Sequence, residues 1–112
     1  MDAHLAAATA DIAKLCAELG VVRLDVFGSA AADEPVEPPH DYDFLVELSP
    51  DGQVSRARRW IALAQELEAR LGKPVDLVSP SMVRNPYFVR AIEESRMPVY
   101  ARSERPRAQA AV

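Results

Sequence analysis

Asp41-Tyr42-Asp43-Phe44-Leu45-Val46-Glu47-Leu48 is the stretch on which the reading of this chain turns. Strand residues two apart face the same side of a sheet, roughly 7 Å apart along the chain. Tyr42, Phe44, Val46 and Leu48 therefore form one wholly apolar face, and Asp41, Asp43, Leu45 and Glu47 the other. The apolar face is expected to lie under helices, leaving the two aspartates to look away from the core at the strand end nearest the preceding loop. A strand that only had to fold would rarely carry two acids there. Grouped carboxylate oxygens suit a hard cation such as Mg2+, which is usually held by one or two carboxylates together with substrate phosphates.

Two flanking segments extend the pattern. Val21 to Phe27 is rich in β-branched residues, reads as a strand, and runs into Gly28-Ser29. A glycine there lets the backbone approach a phosphate closely, and Ser29 offers a hydroxyl plus exposed N–H groups if a helical turn begins at that point. Downstream, Val75-Asp76-Leu77-Val78 is a short apolar strand with one acid inside it, costly unless paired, hydrated or bound to metal. If it lies beside the second strand, Asp76 meets Asp41 and Asp43. Three carboxylates could then hold one or two divalent ions and orient or deprotonate an attacking hydroxyl. Gly-Ser and Asp-x-Asp are weak signals separately; their order along the chain is the selective feature.

Outside these motifs the chain alternates helices with strands. Residues 3 to 19 read as an amphipathic helix through Leu5, Ala8, Ile12, Leu15 and Leu19, stopped by Gly20. Ser29 to His40, with Pro35, Pro38 and Pro39, is a loop, and Ser49-Pro50-Asp51-Gly52 a turn. Gln53 to Leu71 is helical, its stripe being Ala57, Ile61, Ala64, Leu67 and Leu71, widened by Trp60 and Leu63. Asn85-Pro86 opens a short helix through Glu94, and Met97 to Tyr100 is a fourth, edge strand. The expected fold is α/β (α+β), with a single mixed sheet flanked by helices. Residues 1–101 form one domain, and residues 102–112 a flexible tail. No glycine-rich strand-to-helix turn of the dinucleotide-binding kind is present.

Composition narrows the function classes. The 112 residues are 49% apolar and 27% charged, the balance of a soluble globule, with no membrane-spanning run and no signal pattern, so a cytoplasmic location is expected. The net charge of −4 argues against binding nucleic acid polymers. Residues 84–112 nevertheless carry six arginines against three glutamates. Cys16, the single cysteine, rules out an internal disulfide and reads as a core residue. Asp25 beside Arg23 reads as a paired surface residue, and Arg56-Ala57-Arg58-Arg59 as a solvated helix start. His40 reads as incidental, and Trp60, Tyr87 and Phe88 as core or interface aromatics. The plain alternative for Asp76 is a local hydrogen bond or a salt bridge with Lys73 or an arginine.

Phe27-Gly28-Ser29, Asp41-Tyr42-Asp43-Phe44-Leu45-Val46 and Val75-Asp76-Leu77-Val78 together resemble the signature of the DNA polymerase beta-type nucleotidyltransferase superfamily. The short length is similar to that of its minimal nucleotidyltransferases, the antitoxin-like members found beside a helical HEPN-domain partner. The resemblance implies that Gly28 and Ser29 contact a nucleoside triphosphate, ATP, while Asp41, Asp43 and Asp76 are catalytic and bind Mg2+. It also implies AMP transfer to a HEPN-type toxin, or, without catalysis, neutralisation of that partner by complex formation. Many relatives carry Arg-Gly soon after Gly-Ser. This chain has Ala30-Ala31-Ala32-Asp33 instead, which removes a possible phosphate contact.

Overall fold

The structure, a computed structural model, describes residues 1–32, 39–50 and 53–102. Asp2 caps the first helix, α1 (Ala3–Glu18), by accepting the Leu5 N–H, the standard satisfaction of a free helix-start donor. Strand β1 (Val21–Phe27) leads into a 3-10 turn over Gly28–Ala31. Strand β2 (Tyr42–Leu48) precedes α2 (Arg56–Leu71), which Ser55 caps and Gly72 ends in a left-handed conformation. Strand β3 (Val75–Val78), α3 (Pro86–Ser95) and strand β4 (Met97–Ala101) complete the order.

The sheet runs β3-β2-β1-β4. β1 is antiparallel to both β2 and β4, while β2 and β3 are parallel, an arrangement that needs the α2 crossover between them. This is the mixed sheet with flanking helices expected from the sequence, with β4 at one edge. Among the described residues no helix is long and apolar enough to cross a membrane. Pro35, Pro38, Asp51, Gly52 and the expected tail beyond Arg102 lie outside the described residues.

The core lies between one sheet face and α1 with α2. Leu5, Ile12, Leu15, Cys16, Leu63, Leu67 and Leu71 pack on Leu24, Val26, Tyr42, Phe44, Val46 and Val75. Cys16 is buried as expected, and its desolvated thiol is pushed up to about 12.

Four expectations need correcting. The acid-bearing face is not simply solvent-facing, because Phe27 and Leu45 form a second apolar cluster there with Ile92 of α3. The α2 stripe is rotated from the expected one: its buried positions are Arg59, Leu63, Leu67 and Leu71, and Ile61 is 56% exposed. Arg56 and Arg58 are exposed, but Arg59 is buried. Its guanidinium donates to the carbonyls of Leu19, Gly20, Ser49 and Val54, uniting the end of α1, the end of β2 and the start of α2. A planar fork with five N–H donors can be buried when carbonyls meet it; hydrophobic periodicity does not register that. Finally, Asp25 is not a surface residue. It is fully buried in β1 and paired with both Arg23 and Arg96.

Candidate active site

β1 delivers Gly28 at the edge of the site. Its φ of +75° suits glycine, and a Cβ there would stand 3.2 Å from the Asp43 Oδ2 atom. The positive φ favours glycine, and a side chain there would crowd the Asp43 carboxylate. In the turn that follows, Ser29 is exposed while Ala30 and Ala31 are buried. The Gly28 N–H is not open to a ligand, since it donates to the Ser95 hydroxyl at 3.2 Å.

The register gathers the acids. Phe27 of β1 pairs with Asp43 of β2, and Asp43 pairs across the parallel ladder with Asp76 of β3. Asp41 sits one residue before β2. One carboxylate oxygen from each of Asp41, Asp43 and Asp76 lies within 4.8 Å of the others. Asp41 and Asp76 are exposed and Asp43 half-buried. Burial, then the charges of Asp41 and Asp76 and a hydrogen bond with Asp76, raises the Asp43 carboxyl above the ordinary aspartate range.

Among the described residues no lysine or arginine forms an ion pair with these acids. Lys73, the partner considered for Asp76, donates instead to the Pro39 carbonyl at 2.7 Å and lies over the Tyr42 ring. Three carboxylates without an ion-pair partner among the described residues form an all-oxygen donor set. That chemistry fits a hard divalent cation. His40 is exposed beside the cluster.

Two supports were not apparent from sequence. The Tyr42 hydroxyl, on the opposite strand face from Asp43, donates to the buried Asp2 carboxylate. Ser95 and Arg96, at the end of α3, reach Gly28 and Asp25 respectively. The only hint was Asp25 itself, an acid between Leu24 and Val26 in an apolar strand. The aromatics divide: Trp60 packs against the core, Phe88 meets Phe27 edge-on at 6.0 Å, and Tyr87 is 84% exposed. A groove of about 850 Å³ lies away from the acids, lined by Val46, Leu48, Trp60, Ile61, Leu77 and Met82.

Comparison with known proteins supplies independent findings. A family model described as a nucleotidyltransferase domain matches residues 10–99. A Methanocaldococcus jannaschii protein, provisionally named a protein adenylyltransferase, is 35% identical over 66% of this chain and 72% of its own length. A solved structure provisionally described as a minimal nucleotidyltransferase is 32% identical with a TM-score of 0.67, over 88% of this chain and 96% of that one. A chain from the complex of a tri-AMPylated Shewanella oneidensis HEPN toxin with MNT antitoxin is 20% identical with a TM-score of 0.58, over 88% of this chain and 73% of that one. That last likeness speaks to fold alone.

Proposed function

The chain belongs to the nucleotidyltransferase domain family, and on that premise we propose that it is a Mg2+-dependent adenylyltransferase acting as the antitoxin of a toxin–antitoxin pair. It passes AMP from ATP to a side chain of a HEPN-type partner protein in the cytoplasm. The observation that carries this reading is the meeting of Asp41, Asp43 and Asp76 within 4.8 Å, against the Gly28 turn. The partner is suggested by the HEPN complex among the structural relatives and the acceptor by the adenylyltransferase name of the archaeal one.

Asp41, Asp43 and Asp76 would hold the metal, with Gly28 and Ser29 beside the triphosphate. Mg2+ held by these carboxylates would supply positive charge to offset that of the phosphates and of the oxygens that exchange in the displacement. Asp76 orients the acceptor hydroxyl and takes its proton. The acceptor oxygen bonds to the α-phosphorus, the bond from that phosphorus to the bridging oxygen breaks, and pyrophosphate leaves. Ser29, exposed at the start of the turn, donates its hydroxyl to a phosphate oxygen. Gly28 contributes close approach instead of a donor, because Ser95 occupies its N–H.

The test is incubation of the protein with labelled ATP, Mg2+ and a HEPN-type partner. Label is expected on the partner, and transfer by an Asp41→Asn/Asp43→Asn variant would refute the assignment. A second reading, a binding module that neutralises its partner by covering it, is favoured by Ala30 and Ala31. The run Ala30-Ala31-Ala32 after Ser29 offers no side-chain charge to the phosphates. It predicts a stable complex without ATP or Mg2+, indifferent to those substitutions.

A further inference from the structure

The strongest connection outside the three acids runs through the far end of α3. Asp25 is fully buried on the sheet face that also carries Phe27, and Arg96 donates to it from Nε at 2.7 Å. Arg23 donates to the same carboxylate from its own strand at 3.1 Å. Arg96 immediately follows Ser95, whose hydroxyl donates to the Ala91 carbonyl at 2.9 Å. With its one proton committed there, that hydroxyl can meet the Gly28 N–H only as an acceptor, as the 3.2 Å contact requires.

α3 has ten residues and a single buried one, Ile92. A helix that short is marginal by itself, and apolar burial, being non-directional, does not fix its axial position. The hydrogen-bonded pair of Arg96 and Asp25 adds a directional tie beside the pairing of Met97 with Val26, because a shift of α3 would leave the buried carboxylate with Arg23 alone. We propose that Asp25 is a positioning residue: through Arg96 it seats Ser95 over Gly28 and so fixes the turn that receives the triphosphate. The seat matters because Gly28 lies hard against Asp43, so a shift in the turn disturbs the metal-binding acids as well. The nucleotide part of this inference rests on the proposed function; the link from Asp25 to Gly28 does not.

The experiment has two readouts on the full chain. Amide hydrogen exchange at Gly28 is followed by NMR in nucleotide-free protein, and the affinity for a non-hydrolysable ATP analogue with Mg2+ is measured by calorimetry. Ser95→Ala is expected to speed Gly28 exchange and weaken the analogue about three- to tenfold, the range one net hydrogen bond supports, with a smaller fall in melting temperature than Asp25→Asn. Ser95→Thr, which keeps the hydroxyl, restores both. Asp25→Asn is expected to reproduce the two effects and lower the melting temperature further. Unchanged Gly28 exchange in Ser95→Ala overturns the proposal, as does faster exchange with unaltered affinity. A wild-type protein that binds no analogue while Gly28 protection still depends on Ser95 and Asp25 sinks the transferase reading and upholds the link.

Discussion

The Tyr42 hydroxyl donates to the Asp2 carboxylate across 2.6 Å, joining the cap of α1 to the strand residue between the two leading site aspartates. The Asp2 backbone N–H also donates to the Ala30 carbonyl at 2.7 Å, so the same residue braces the turn after Gly28. Burial by itself raises the Asp2 carboxyl, but the Tyr42 hydroxyl, the Leu5 N–H and the charges of Lys73 and His4 outweigh it, and the group lies below the ordinary value.

Tyr42→Phe is therefore expected to destabilise the protein by about 1–3 kcal/mol at neutral pH, the worth of a hydrogen bond to a buried charge. A carboxyl whose folded value is depressed contributes stability above its unfolded value of 3.8 and loses it as pH falls towards the folded one. The gap between wild-type and Tyr42→Phe melting temperatures should narrow as pH drops below that point. A gap constant with pH would show that the hydroxyl does not act through Asp2.

Asp43 has the opposite sign. Its raised value means that ionisation is resisted in the folded state, so its penalty is absent below 3.8 and grows as pH rises through the folded value. Asp43→Asn is expected to raise the melting temperature of the metal-free protein at pH 7 and to abolish the upward shift expected of the wild type in MgCl2. Its AMP transfer should fall by about 10²-fold or more, as for loss of a group that stabilises transition-state charge. Thermal melts with and without Mg2+ decide the first two outcomes, and the labelled-ATP assay the third.

Gly28 and Gly72 have similar positive φ values, +75° and +69°, but only Gly28 faces a neighbour where a Cβ would stand. Gly28→Ala and Gly72→Ala should each lose about 1–2 kcal/mol to backbone strain, and denaturant titration measures both. The Gly28 variant alone should also lose nucleotide affinity, through its contact with Asp43. Equal affinity in the two variants would remove the turn from the site.

Arg59→Ala should cost about 3 kcal/mol or more, because several carbonyls lose a buried charged donor together. Arg59→Lys is not expected to rescue it, since an ammonium cannot match a planar fork. Denaturant midpoints test both variants. The folded fraction of each should keep its nucleotide affinity, because Arg59 contacts Leu19, Gly20, Ser49 and Val54 and none of the three acids.

What was legible in the sequence depended on repetition and on order. The alternation in β2 placed Phe44 and Val46 under helices, and the lone acid in Val75-Asp76-Leu77-Val78 found its place against Asp43 through a parallel pairing that the intervening α2 made natural. Polar groups held by distant partners were not legible. Asp25 looked like a surface acid because Arg23 is its neighbour in sequence, while Arg96, its second partner, stands 71 positions away. Arg59 was hidden because periodicity counts an arginine as polar, yet among the described residues no buried side-chain nitrogen or oxygen lacks a partner. Ile61 misled for the converse reason: it is an apolar side chain on an exposed part of α2.

The parallel pairing of Asp43 with Asp76 also has a temporal meaning. Contacts between strands separated by an intervening helix form late, after chain entropy has been overcome. During synthesis, a nascent chain that has emerged only through β2 holds two of the acids and no third, and α3 with Ser95 follows later still. On the proposed function, competence to handle a nucleotide would require translation and folding of the domain through β3 and α3.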